Sequence, residues 1–300
     1  VEIKEVMRIC TGHGVKLQEN SVQINESGVD FKAVVAKDED GVTWILRIPR
    51  RESSMRAADQ EKQVLDVLQS KADFEVPVWT VFSEELIGYQ ALQGKPAAVI
   101  DLEVQDYVWH IDKDPLPDAY YATLGHVMAE IHNIPVQLLQ GIDLPRVKSE
   151  DVQASMRQRM EHVKQCYHVH PDRWHMWQTW LDDKSIWPPH NGFYHGDLHP
   201  GHIMVNENSQ VTGLLDWTEA GMGDVSTDFL SHYLLFGREG LDRLLAAYAD
   251  AGGRVWPKMA EHIVALHHTS GITVAEYAAV SGLSDMEEMA REMLKAPPES

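Results

Sequence analysis

Apolar and polar positions keep two different periods along this chain. From Ser21 to about Leu92 the alternation is that of strands, at 21–25, at 31–37 and, beyond the turn Asp38-Glu-Asp-Gly41, in the branched run 42–48. A helix interrupts them over about 55–69, where Glu61, Leu65 and Leu68 fall on one stripe, so one carboxylate is expected to face inward. Two more strands are predicted at 76–82 and 86–92. Gln93-Gly94-Lys95-Pro96 then punctuates the end of sheet-type patterning and sets the expected boundary between a lobe at 1–93 and a lobe at 94–300. From about Pro115 onward helical periodicity dominates: Tyr121, Leu124, Met128 and Ile131 share a face before Pro135 ends the segment. Further helices are predicted over 152–167 and 174–181, and from about Ser226 to the end with breaks at Gly237, Gly252-Gly253 and Gly282, with a short β-rich insert at 192–216 between them. Trp174, Trp177 and Leu181 share a helix face and read as packed core. The fold class is therefore α+β: an N-terminal antiparallel sheet lobe with one helix, then a larger, mainly helical lobe.

Composition narrows the partners more than the fold. Against 46 Asp+Glu stand 26 Lys+Arg, a net charge of −20, which argues against a nucleic-acid partner and favours ligands carrying positive charge. No run approaches the roughly 18 to 20 apolar residues of a membrane span, so no membrane partner is expected. The start, Val1-Glu-Ile-Lys-Glu-Val, lacks the layout of a secretory signal; a cytoplasmic address is the expectation, with a removed leader left open by the missing initiator Met. Cys10 and Cys166 provide neither a disulfide framework nor a zinc site and are both expected as buried free thiols. The chain is expected to act as a monomer.

The chemistry concentrates in Tyr194-His195-Gly196-Asp197-Leu198-His199-Pro200-Gly201-His202-Ile203-Met204-Val205, followed by Val211-Thr-Gly-Leu-Leu-Asp216-Trp217. Asp197 sits on a loop interrupted by Gly and Pro. Asp216 ends an apolar strand that would pair with 203–206 through the turn Glu207-Asn-Ser-Gln210, so two carboxylates converge at one end of a small hairpin. Phosphoryl transfer needs such a pair, one carboxylate to orient the acceptor hydroxyl and take its proton, the other to hold Mg²⁺ on the donor phosphates.

These residues also carry a family resemblance. His195-Gly-Asp197 with a ligand five residues on, Leu-Asp216-Trp, and Gly223-Asp224-Val-Ser-Thr-Asp228 resemble the aminoglycoside-phosphotransferase branch of the kinase-like superfamily, over nearly the whole chain. Narrower wording is similar to the macrolide 2′-phosphotransferases: Asn25-Glu-Ser-Gly28-Val-Asp30-Phe, Trp44-Ile-Leu-Arg47-Ile-Pro-Arg-Arg51, His202 where most relatives carry Asn, Asp216-Trp-Thr-Glu-Ala220, and Gly252-Gly-Arg-Val-Trp-Pro257. The resemblance implies a two-lobed kinase-like fold that transfers the γ-phosphate of GTP, or ATP, to the 2′-hydroxyl of a macrolide's dimethylamino sugar with Mg²⁺. It implies Asp197 as general base, His202 and Asp216 at the metal, and His195 and Asp228 as structural supports of the catalytic loop. Ser27 and Gly28 lie where a kinase places its phosphate-covering loop. Arg47 takes the place of the phosphate-binding Lys, with inward-facing Glu61 as its partner. Tyr89, Ala91 and Leu92 belong to the segment that reads the purine base.

Three other readings compete. A zinc hydrolase built on His195, His199 and His202 conflicts with Gly196, Pro200 and Gly201, which disfavour the helix a zincin needs. A protein kinase would carry Lys two positions after Asp197 and a longer segment between Asp216 and Asp228. A non-catalytic binding module would be expected to have lost the base or the metal ligand. The closer alternative is another small-molecule kinase of the same fold, acting on an amino sugar, choline or a fructosamine. A macrolide is a large apolar ring, so its expected site is an open groove with Phe229, Tyr233, Leu234 and Phe236, with His199 nearby and with Glu219 or Asp224 close to the amine.

Overall fold

The computed structural model describes residues 3–26, 30–101 and 106–297. In chain order the first elements are α1 (Ile3–Gly12), β1 (Gln23–Asn25), β2 (Phe31–Lys37), β3 (Thr43–Pro49), α2 (Glu52–Gln69), β4 (Val81–Phe82), β5 (Ile87–Gln90), β6 (Lys95–Pro96) and the hairpin β7 (Ala98–Asp101) with β8 (Asp106–Trp109). There follow α3 (Asp118–His132), α4 (Ser149–Cys166), α5 (Pro171–Asp182), β9 (Gly192–Tyr194), β10 (Ile203–Val205), β11 (Val211–Leu214), β12 (Gly221–Gly223), α6 (Leu230–Asp250), α7 (Met259–His268), α8 (Ser270–Ser281) and α9 (Ser284–Lys295). They form two compact units. One comprises Val1–Thr123, Pro135–Leu144 and Pro200–Ala220; the other comprises Leu124–Ile134, Pro145–His199 and Gly221–Ser300.

The first unit is organised by the two-residue period of its antiparallel sheet, in order β1-β2-β3-β5-β4. On one face Val34, Ala36, Leu46 and Ile48 join Val6 and Cys10 of α1 in a continuous core. Residues one step out of phase, Phe31 and Ala33 on β2, Ile45 and Arg47 on β3, and Tyr89 on β5, line a cavity. The register sets Ala33 opposite Arg47 and Ile45 opposite Tyr89, which puts a charged side chain in the middle of an otherwise apolar row. Helix α2 buries Ala58, Glu61, Val64, Leu65 and Leu68, so the carboxylate expected to face inward does so. A smaller sheet, β11-β10-β6, completes the unit, and Gly94 (φ 87°) approaches the Val205 carbonyl so closely that a Cβ would collide with it.

The second unit is mainly helical around a core of Met156, Met160 and Val163 of α4, Trp177, Trp180 and Leu181 of α5, and Ile272, Ala275, Ala290 and Leu294. Trp177 is fully buried and Trp174 packs at the edge. Gly237 (φ 61°) kinks α6, Gly252 (φ 88°) follows its end, and Gly282 (φ 67°) caps α8, which are the three expected interruptions.

Three local expectations change. Strands continue past Pro96, where sheet-type patterning was expected to end, because β7 and β8 pair as a hairpin of their own. Only Val81–Phe82 of the predicted strand 76–82 pairs, because Pro77 offers no N–H and the chain just before it bridges Gly213 through Glu75 instead. Cys166 is exposed, contrary to the expectation of two buried thiols, since ten residues beyond Met156 a helix has turned about 280°, off the buried stripe. Cys10 is fully buried, and burial pushes its thiol up to about 11. Titration of the native protein with a thiol reagent at pH 8 is therefore expected to report one fast thiol, and a second only on unfolding. Two fast thiols would contradict this packing.

Candidate active site

In the first unit a cavity of about 370 Å³ is lined by Phe31, Arg47, Tyr89, His202, Asp216 and Thr218, among others. Arg47 donates to Glu61 Oε2 at 2.7 Å, with Glu61 1% exposed. The guanidinium is held on its faces as well: its Cζ lies 4.3 Å from the Phe31 ring centroid and 5.5 Å from that of Trp79. Burial alone would lower the Arg47 pKa, but the adjacent Glu61 carboxylate outweighs it and moves it up. For Glu61 burial is the larger influence and moves the carboxyl up despite Arg47. The remaining Glu61 oxygen accepts from the Trp217 N–H at 3.4 Å, so α2 is tied to the residue after Asp216.

Pairing of β10 with β11 brings His202 and Asp216 to one end of the hairpin, as their sequence positions predict: Ile203 faces Leu214, and Leu215 N–H donates to the His202 carbonyl at 2.9 Å. His202 Nε2 and Asp216 Oδ2 lie 4.0 Å apart. Two ligands of one cation, each about 2.0 to 2.1 Å from it, can span that separation, so this oxygen and nitrogen suit a divalent ion. Asp216 adopts φ 57°, a left-handed conformation rare for a side chain other than Gly and concentrated at functional sites. Its Oδ1 accepts from the N–H and hydroxyl of Thr218. Burial raises the Asp216 carboxyl, but Thr218, His202 and Arg47 together bring it below its ordinary value, so it stays an anion.

In the second unit, Asp197 is exposed on the loop after β9. That loop is held by its backbone. The N–H groups of His195 and Gly196 donate to Asp228 at 2.9 and 2.8 Å, His132 Nε2 lies 3.0 Å from the same carboxylate, and Asp197 N–H donates to His195 Nδ1 at 3.2 Å. Gly196 at φ 90° makes the turn that presents two successive N–H groups to one acceptor. Burial of Asp228 raises its pKa, but the His132 hydrogen bond, the nearby His132 and His195 rings and the Gly196 N–H overcome it and lower it. His195 is fully buried.

The other expected site residues fall in several places. Ala91 and Leu92 line a second cavity, of about 630 Å³, with Phe74, Glu75 and Gln90, while Tyr89 lines the one containing Arg47. Ser27 and Gly28 lie outside the described residues. His199 is half-buried and Glu219 is exposed. Phe229 is fully buried against His132 and Tyr248. Tyr233 is half-buried and edge-on to His267, Phe236 packs on His232, and Leu234 is 65% exposed. Asp224 is bound by His262 Nε2 at 2.6 Å. Sequence reasoning missed Phe31 and Trp79 around Arg47, Thr218 on Asp216, and His132 on Asp228.

The phosphotransferase enzyme family matches residues 21–262. The uncharacterized protein YcbJ of Bacillus subtilis is 37% identical over 292 residues, which is 97% of this chain and 95% of that protein. Among solved structures, the apoenzyme of the macrolide 2′-phosphotransferase MphH from Brachybacterium faecium superposes with a TM-score of 0.89 at 29% identity, covering 99% of both chains. A macrolide 2′-phosphotransferase type I superposes with a TM-score of 0.84 at 32% identity, over 98% of this chain and 96% of that one. The expected kinase-like α+β fold is thereby shown.

Proposed function

The chain belongs to the phosphotransferase enzyme family, and from that premise we propose that it transfers the γ-phosphate of GTP, with ATP as the alternative donor, to the 2′-hydroxyl of a macrolide's dimethylamino sugar, inactivating the drug. The observation that carries this reading is the likeness to two macrolide 2′-phosphotransferases along essentially the full length of the chain, at 29% and 32% identity. The chemistry of the residues agrees with it. Asp216 and His202 are the ligands for Mg²⁺, which when bound would neutralise charge on the donor phosphates. Arg47, with one N–H on Glu61, offers the phosphates its other donors in a fixed fork. Tyr89 lines the same cavity and bounds the nucleotide. Asp197 orients the acceptor hydroxyl and takes its proton. Exposed Glu219 is an acid available to a cationic amine.

Arg47 gives this reading a sharp test, because its aromatic neighbours suit a planar cation. Arg47→Lys keeps the charge but loses the fork and the stacking on Phe31, and is expected to raise KM for the nucleotide about 3- to 30-fold. An unchanged KM in steady-state kinetics would remove Arg47 from the phosphate site. The acceptor is tested by incubating the protein and Mg²⁺ with erythromycin, kanamycin or choline, and with GTP or ATP, followed by mass spectrometry. Erythromycin is expected to gain one phosphate, with GTP the better donor. Phosphorylation of kanamycin or choline alone would favour the other small-molecule kinases of this fold.

A further inference from the structure

A one-turn 3-10 segment, Val225–Phe229, carries a carboxylate at each end of the sequence that forms it, and each is met by a histidine that a third group holds from behind. At the first end, Asp224 Oδ1 caps the turn by accepting from Ser226 N–H at 2.9 Å, and its Oδ2 receives His262 Nε2 at 2.6 Å. Behind His262, the indole Nε1–H of Trp180 donates to Nδ1 at 3.0 Å. At the other end, Asp228 receives His132 Nε2 at 3.0 Å, and His132 Nδ1 lies 3.0 Å from the Tyr248 hydroxyl.

Donor chemistry fixes the protons on His262. An indole N–H can only donate, so Nδ1 must accept; the ring is then neutral and its one proton sits on Nε2, directed at Asp224. Packing holds the ring in place. His262 is fully buried, with ring centroids of Trp180, Trp187 and Trp256 at 5.8, 5.0 and 5.9 Å, and Trp180 stacks on Trp187 at 4.6 Å. Both Asp224 oxygens are thereby used inside the fold. That is a different task from meeting a ligand's amine.

We infer that His262 and Trp180 are positioning residues for the catalytic loop: the Trp180–His262–Asp224 relay locks the start of the 225–229 turn, and the turn's other carboxylate, Asp228, holds the His195 and Gly196 N–H groups and so aims Asp197. The relay reaches the loop through five residues of chain whose ends are both hydrogen-bonded, so a loosened Asp224 cap lets Asp228 shift against the two amides it accepts. Tyr248 and His132 brace the Asp228 end in a similar chain, the Tyr248 hydroxyl on His132 Nδ1 and His132 Nε2 on the carboxylate. The link to catalysis rests on the reading of Asp197 as the base; the link to the loop backbone does not.

Two readouts separate these links. Without substrate, ¹⁵N spectra of the His262 ring and amide hydrogen exchange at His195 and Gly196 are measured in wild type, Trp180→Phe, His262→Leu and His262→Gln. The wild-type ring is expected as the Nε2–H tautomer, and the two amides are expected to exchange about tenfold faster in Trp180→Phe and His262→Leu. His262→Gln, whose amide can accept from Trp180 and donate to Asp224, is expected to restore most of the protection. Trp180→Phe keeps a ring against Trp187 and carries the test whether or not His262→Leu folds. With erythromycin and GTP, Trp180→Phe is expected to lower kcat about tenfold and leave the nucleotide KM unchanged. An Nδ1–H ring, unchanged exchange in Trp180→Phe, or a Gln variant no better than Leu would overturn the inference. Should wild-type protein leave erythromycin unmodified, the acceptor reading fails while the exchange data still decide the relay.

Discussion

Replacing Asp197 by Ala is expected to lower kcat about 10²- to 10⁴-fold while leaving nucleotide affinity within about twofold. The side chain is exposed and the loop is held by other groups: Asp228 accepts from the N–H groups of His195 and Gly196, and the Asp197 N–H reaches His195 Nδ1, all of which survive truncation at Cβ. Stability should therefore change by no more than roughly 0.5 kcal/mol, so lost turnover would report chemistry and not unfolding. Steady-state kinetics and calorimetric titration with GTP check the two halves separately. A variant that keeps its kcat would exclude Asp197 as the base.

The second large effect is expected at Asp216. Asp216→Asn replaces one anionic oxygen beside His202 with an amide and is expected to weaken Mg²⁺-dependent nucleotide binding at least 10- to 100-fold, the loss typical of removing even an outer partner of a metal ligand. Binding of erythromycin is expected to remain, because the Asp216 carboxylate lines the cavity that holds Arg47 and Tyr89, the proposed nucleotide residues. The left-handed backbone at Asp216 does not confound the comparison, since Asn tolerates φ 57° as well as Asp. Equal losses for nucleotide and macrolide in calorimetry would contradict the assignment.

What could be read from the sequence was whatever local chemistry decides. The alternation in 31–37 and 42–48 sorts Val34 and Leu46 to one face and Arg47 to the other, and the turn between Val205 and Val211 brings His202 and Asp216 together. Gly237, Gly252 and Gly282 mark real breaks because each takes a positive φ. By contrast, α7 gives way to α8 at Thr269, whose φ −84° and ψ −5° are helical, and the nearby Gly271 lies inside α8 and not at the break. Helix α1 carries its own helical signal, with Val6 and Cys10 one turn apart and both buried against the back of the sheet, although the strand pattern that begins at Ser21 does not point to it. His132 is 96 residues from Asp228, and Trp180 is 82 from His262, so only the tertiary fold makes them partners. Glu61 was legible because its helix stripe faced the core; Phe31 and Trp79 were not, because stacking on Arg47 depends on where three separate segments end up.

The phosphorylated atom is identified by one spectrum. In a ¹H–³¹P correlation spectrum of erythromycin incubated with the protein, GTP and Mg²⁺, the new phosphorus is expected to couple to the proton on the carbon bearing the 2′-hydroxyl, beside the dimethylamino group. Erythromycin recovered unmodified, or a phosphorus coupled to a different carbon's proton, would contradict the account.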